Sequence, residues 1–161
     1  MTVSALIVGN NILRRAFNDG IDVTPMKLQK LIFLAASEYA TITGEQLVAE
    51  NFEAWEYGSA VRTVHDKFRP FAGKPITVFA KDAMGKARQV DESARPDVAR
   101  AVDAVWRLGK HMSAVELARI TQRPGSAWHK AWGTGLPIRF DDMAADVTYR
   151  ERLGIEYPVA A

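Results

Sequence analysis

Histidines and carboxylates are the side chains of this sequence that could perform acid–base or metal chemistry. The chain of 161 residues contains three histidines, His65, His111 and His129, which lack the paired-histidine spacing of zinc sites. His65 and Asp66 are adjacent, so on a helix their side chains would point about 100° apart and would not form an orienter–base pair. The absence of cysteine excludes thiol catalysis and cysteine-bound zinc. The sequence therefore predicts no metal site.

Three further patterns fall short of the catalytic motifs that they partly match. The segment 133–135 (GTG) lacks the third glycine of a dinucleotide-binding loop, and 58–60 (GSA) is not a nucleophile elbow. Glu53 and Glu56 are close in sequence, but on an extended strand their odd offset would send them to opposite faces. We therefore predict that the protein is not an enzyme and needs no cofactor.

Aromatic residues give a stronger signal than the titratable ones. Trp55, Tyr57, Trp106, Trp128 and Trp132 carry large apolar areas, which serve either to fill a core or to anchor a protein partner. Trp128 and Trp132 lie four residues apart, so they are expected to attach one short helical segment to the core.

Charge is distributed unevenly, although the net charge is only +2. Residues 37–57 hold five glutamates and no Lys or Arg, whereas residues 60–90 hold seven Lys or Arg and two Asp. A basic segment can bind nucleic acid, so a nucleic-acid-binding transcriptional regulator is the alternative function. The favoured explanation of the charge pattern is that the acidic and basic segments pack side by side or are simply solvated. The piece in the place of a recognition helix, 126–132, is short and rich in tryptophan, which makes nucleic acid the less favoured partner.

Location in the cell can be predicted from what the sequence lacks. It has no run of about eighteen apolar residues, so no membrane span is predicted. Its first residues lack the basic start and the cleavage site of a signal peptide. Together with the absence of cysteine, these features predict a cytoplasmic protein.

The helix predicted most clearly begins after Thr24, whose hydroxyl can cap the first turn, and has Pro25 at its first position. Apolar residues from Leu28 to Ile42 recur at steps of three and four, and Gly44 ends the pattern. The polar residues are expected to form the opposite, exposed face: Lys27, Lys30, Ser37, Glu38 and Thr41.

The remaining elements are predicted from periodicity, breakers and caps. Together they indicate a mainly α fold with a small β element (α+β), a compact helical bundle forming a single domain over residues 1–161. The predicted helices cover 3–18, 60–71, 96–109, 114–121, 126–132 and 142–153, with Asp141 as the cap of the last, and the predicted strands lie within 46–57 and at 75–79.

Three motifs occur in order along the chain: TPMKLQKL at 24–31, FEAWEYG at 52–58 and PGSAWHKAW at 124–132. This series resembles the Panacea-domain antitoxins, the SocA-like and GepA-like family of bacteria and phages. The resemblance extends over about residues 3–153. One departure is Ser59, since many relatives have proline after the tyrosine–glycine pair.

The resemblance implies an antitoxin that neutralises a cognate toxin, encoded beside it, by direct binding. For SocA-like members it also implies a proteolytic adaptor that delivers the toxin to the ClpXP protease, and the last residues, 157–161, resemble tails that this protease accepts. Delivery and simple sequestration both remain open. The resemblance implies no catalytic residue. It provides six candidate partner-binding residues, of which the two lysines and the histidine are expected to be exposed: Lys27, Lys30, Trp55, Tyr57, Trp128 and His129.

Overall fold

A computed structural model describes residues 1–156, and the C-terminal tail discussed above lies outside the described residues. Eight α-helices and one two-stranded sheet occur within this range, which confirms a mainly α fold with a small β element. The elements follow in chain order: α1 (Ala5–Asp19), α2 (Pro25–Thr43), β1 (Glu53–Trp55), β2 (Gly58–Ala60), α3 (Arg62–Phe68) with a 3₁₀ turn (Arg69–Phe71), α4 (Pro96–Gly109), α5 (Ala114–Thr121), α6 (Ala127–Ala131), α7 (Phe140–Ala145) and α8 (Thr148–Leu153). All eight helices contribute to one hydrophobic core.

α2 is the central helix of the fold. Its predicted ends are confirmed, because the Thr24 side chain accepts a hydrogen bond from the Lys27 amide and Gly44 takes the left-handed conformation after the last turn. The predicted exposed face is wrong: every residue from Lys27 to Thr41 is buried. The reason is that α2 is surrounded by α1, α3, α4, α5, α7 and β2, so no side of it is left to solvent.

A buried ion pair replaces part of the expected exposed face of α2. Glu38 has no exposed surface, and its carboxylate accepts hydrogen bonds from Tyr149 at 2.7 Å and from Arg150 at 3.3 Å. Burial and the nearby Glu38 carboxylate raise the pKa of the Tyr149 hydroxyl above its ordinary value. The cluster attaches α8 to the central helix by charge as well as by packing.

The β element is a hairpin shorter than predicted. β1 and β2 pair antiparallel, with Trp55 opposite Gly58 and a two-residue turn between them. Of the strand predicted within 46–57, only β1 forms. Before it, Val48 makes only an isolated bridge to Val3 near the N-terminus. The predicted strand at 75–79 does not form.

The segment 76–92 crosses α1 without any strand partner. Asn10 donates to the Ala80 carbonyl and accepts from the Ala80 amide, both at 2.9 Å. Asn11 makes the same two bonds to Val90, at 3.0 and 2.8 Å. These two buried side chains give Ala80 and Val90 the backbone hydrogen bonds that a neighbouring strand would otherwise supply, so the segment packs on α1 without a sheet.

The predicted last helix is divided into α7 and α8. Asp146 lies between them, and its carboxylate accepts from the Thr148 amide at 2.9 Å and from the Ala127 amide of α6 at 3.0 Å. Asp141 is not a cap, since α7 begins after Arg139 with no side-chain bond. The break thus comes from a carboxylate that joins the start of α8 to the start of α6.

Candidate partner-binding surface at the β-hairpin

Gln29 of α2 holds the chain where β2 ends. Its amide nitrogen donates to the Val61 carbonyl at 3.0 Å, and its amide oxygen accepts from the Val61 N–H at 2.9 Å. Both residues are buried, and the Val61 N–H depends on the glutamine for its hydrogen bond, whereas the Val61 carbonyl also accepts from the Val64 and His65 amides at the start of α3. Gln29 is therefore one of the side chains that fix the hairpin to the central helix.

Lys30 lies one residue further along α2, beneath the hairpin. It is 2% exposed, and its ammonium donates to the Ser59 carbonyl at 3.1 Å. Removal from water lowers the pKa of Lys30 to about 8. Gly58 has a φ of +108°, and a Cβ at this position would lie 2.7 Å from the Lys30 Cε. The glycine of the second motif is thus required by the lysine of the first.

Lys27 is also buried, contrary to the expectation that it is exposed. Its ammonium donates to the Lys110 carbonyl, just after the end of α4. Burial lowers the pKa of Lys27, and the charge of Glu116 partly opposes that effect. This lysine joins α2 to α4 and lies outside the grooves described below.

The third motif contacts the hairpin from the other side through α6. The Trp128 indole nitrogen donates to the Trp55 carbonyl at 2.9 Å. The Trp128 ring stacks on the Trp132 ring, with 4.9 Å between the ring centroids. Trp128 is buried as predicted, whereas Trp132, which was expected to pack into the core, is 47% exposed. His129 is exposed as expected, and its Nδ1 accepts a long bond from the Gly125 amide at 3.4 Å.

A groove of about 330 Å³ opens between α2, the hairpin and α3. Its walls are largely apolar and include Trp55 and Tyr57, with Lys30 at its base. His65 and Arg69 are the other basic residues that line it. The structure thus brings together three of the six candidate residues: Lys30, Trp55 and Tyr57.

The Trp55 ring has two basic neighbours. The Arg62 guanidinium lies 5.1 Å from the centroid of the Trp55 ring. The His65 ring meets the Trp55 ring edge-on, with 5.2 Å between the ring centroids. Both residues come from α3, inside the basic segment noted in the sequence. A cation over an indole face is a favourable contact that also orients the ring.

A second groove of about 390 Å³ lies on the other side of Trp55, next to Trp132 and Leu136. Three apolar side chains around the two grooves are largely in solvent: Tyr57 at 65%, Trp132 at 47% and Leu136 at 69% exposed. We call the area formed by Trp55, Tyr57, Trp132 and Leu136 the hairpin surface. Exposed aromatic residues that lie close together are typical of protein-binding sites.

The acidic side chain of β1 beside Trp55 is already held by neighbouring residues. Glu53 accepts from the Trp55 indole nitrogen at 3.2 Å and lies 3.5 Å from Arg62, so its partners are structural. Within residues 1–156, no three histidine or acidic side chains lie close enough together to hold a metal ion. Over the same range, no helix has both the length and the apolar character needed to cross a membrane.

The sequence profile described as antitoxin SocA-like, Panacea domain, matches residues 28–129, which is more than half of the chain. The chain belongs to this family. The matched Panacea-domain range begins in α2 and ends in α6, so it contains the hairpin and several side chains that hold it, among them Gln29, Lys30 and Trp128.

One relative of this Panacea-domain protein is Antitoxin SocA from Caulobacter vibrioides (strain NA1000 / CB15N). It is 27% identical over 166 residues, which cover 98% of this chain and 88% of that protein. No solved structure matches the chain. The relationship makes this an antitoxin-family protein, and a cognate toxin is the partner that the family implies.

Several residues of the two grooves were not among the candidates. Arg62 and Arg69 were noted only as part of a basic segment, His65 was considered only for metal and acid–base chemistry, and Leu136 was not singled out. Their position beside Trp55 depends on how α3 and the 133–137 loop pack, which local patterns do not encode. The one signal was charge, since the basic segment begins directly after the second motif.

Proposed function

We propose that this protein neutralises a cognate toxin by binding it directly, and that the hairpin surface carries the contact. The observation that supports this site is the cluster of exposed aromatic residues at the point where the three family motifs meet. Large aromatic side chains with a rigid support are the residues that most often dominate protein–protein affinity. Gln29, Lys30 and Trp128 provide that support here.

The first test is co-expression with the product of the adjacent open reading frame. Wild-type protein should restore growth and copurify with that product. Neither protection nor copurification would remove the proposal.

The site itself is tested by two truncations, Tyr57→Ala and Trp132→Ala. Each removes an exposed ring and should weaken toxin binding at least tenfold, since a hot-spot truncation costs about 2 kcal/mol or more. The matched controls are Val115→Ala and Val147→Ala, because these apolar residues are similarly exposed but lie on other faces, on α5 and beside α8. Equal effects of all four substitutions would place the contact elsewhere.

The fate of the bound toxin forms a second part of the proposal. We propose that the protein delivers the toxin to the ClpXP protease, on the strength of its resemblance to SocA-like adaptors. In a purified reaction, the toxin should be degraded by ClpXP only when this protein is added. Degradation at the same rate without it would leave neutralisation by sequestration alone.

A further inference from the structure

The groove between α2, the hairpin and α3 has a polarity that ordinary core packing does not explain. Most of its lining is apolar or aromatic, but three basic residues, Lys30, His65 and Arg69, also line it. Within the described residues, no aspartate or glutamate lines this groove. The site therefore combines an apolar lining with positive charge that lacks a negative partner.

Lys30 is the residue that determines which chemistry fits the groove. Within residues 1–156 its ammonium has one hydrogen-bond acceptor, the Ser59 carbonyl at 3.1 Å, although an ammonium can donate three hydrogen bonds. At 2% exposure it has little access to water, and a buried charge with unfilled donors is costly. A carboxylate entering the groove would supply both an acceptor and the opposite charge.

We propose that this groove binds an acidic side chain of the toxin, an aspartate or glutamate carried beside an apolar residue. The carboxylate would lie against Lys30, with Arg69 at the side, and the apolar neighbour would lie against Trp55 and Tyr57. This assignment rests on the proposed function for the identity of the partner. The carboxylate chemistry comes from the groove alone. Because the pKa of Lys30 is about 8, its ammonium remains mostly charged at neutral pH.

The chemistry of the groove can be tested without a toxin, using 4-phenylbutyrate as the probe and its neutral amide, 4-phenylbutanamide, as the matched control. The NMR signal of the Trp55 indole N–H reports whether the probe occupies the groove. The carboxylate should shift this signal and bind at least tenfold more tightly than the amide. Lys30→Met should abolish that preference, whereas Lys27→Met should keep it, because Lys27 is a second buried lysine of α2 that lies outside the groove.

Three results would overturn the assignment: no carboxylate binding, equal binding of acid and amide, or a preference that persists in Lys30→Met. Duplex DNA that shifts the Trp55 signal more strongly than the carboxylate would also overturn it, in favour of a nucleic-acid site.

The same groove is then tested with the toxin. Arg69→Gln, at an exposed position on the groove, should lower the affinity for the toxin about tenfold, and the loss should diminish at high salt. Arg107→Gln, an exposed arginine of α4, is the matched control and should bind as wild type does. Equal affinity of the two variants would contradict the proposal.

If the wild-type protein binds no adjacent gene product, the proposed function fails, and the carboxylate titration still decides the chemistry of the groove.

Discussion

Replacing Gln29 with methionine tests whether one side chain attaches the hairpin to the central helix. Methionine keeps the length and approximate volume of glutamine but removes both hydrogen-bonding groups. The Val61 N–H would then be buried without a partner, since Val61 is 1% exposed, whereas the Val61 carbonyl keeps its bonds from the Val64 and His65 amides at 3.1 Å. One unsatisfied buried group costs about 1–3 kcal/mol, so we expect the free energy of unfolding to fall by about 1–3 kcal/mol. Because an ordinary domain is stable by only about 5–15 kcal/mol, a loss of this size is readily measured.

The matched control is Gln122→Met, which changes the same residue type at the same hairpin. Gln122 donates to the Glu56 carbonyl at 2.9 Å, but this bond is exposed, so water can replace it. We expect this variant to lose about 1 kcal/mol or less.

Urea unfolding followed by tryptophan fluorescence measures both changes, and equal m-values would show that the denatured states are comparable. Amide hydrogen exchange at Val61 adds a local measurement, and protection there should fall in Gln29→Met only. If Gln29→Met costs no more than Gln122→Met, the hairpin does not depend on the glutamine, and the reasoning is refuted.

Three further predictions concern buried groups. Glu38→Ala removes the carboxylate beside the buried Arg150 and should lower the free energy of unfolding, measured in urea, by about 3–5 kcal/mol. Glu45→Ala, at an exposed position, should lower it by about 1 kcal/mol or less. Gly58→Ala should be more destabilising than Gly44→Ala. Both glycines have positive φ, but only at Gly58 would a new Cβ meet a side chain, that of Lys30. Equal losses of unfolding free energy in the two variants would contradict the close approach of Lys30. Burial lowers the pKa of Lys30 from 10.5 to about 8, so between these pH values the unfolded chain binds more protons than the folded one. The stability of wild type relative to Lys30→Met should therefore rise with pH across this window, by on the order of 3 kcal/mol, and a flat difference would mean that the ammonium is hydrated.

Elements whose signals are local could be predicted from the sequence. The Thr24 cap, Pro25 and the Gly44 end define α2 through contacts within a few residues, and the capping box of Ser113 and Glu116 defines the start of α5. Such signals act before tertiary structure forms, so the sequence alone contains them.

The environment of α2 could not be predicted in the same way. Its polar residues have the spacing of a solvent-facing side, yet each has a partner from a distant part of the chain: Lys27 with Lys110, Lys30 with Ser59, and Glu38 with Arg150. Periodicity indicates which residues share a face, but it does not show what covers that face.

The candidate site was predictable only in part, because the sequence shows residue types and motif positions but not contacts between distant segments. Trp55, Tyr57 and Lys30 were identified because their residue type and motif position are visible in the sequence. Arg69 and His65 were not chosen, because their approach to Trp55 requires α3 to fold back beside α2. Contacts between distant segments therefore determine most of the chemistry of the groove.

The bonds from α2 to the hairpin have a consequence for how a partner can attach. The outer edge of a β-strand normally offers unpaired amide and carbonyl groups, to which a strand from another molecule can add. Along β2 and the residue after it, Lys30 occupies the Ser59 carbonyl, Gln29 bonds to both backbone groups of Val61, and residues 58–61 are all buried. This edge is therefore closed to β-augmentation, both by a partner and by a second copy of the chain, and recognition along β2 has to come from side chains.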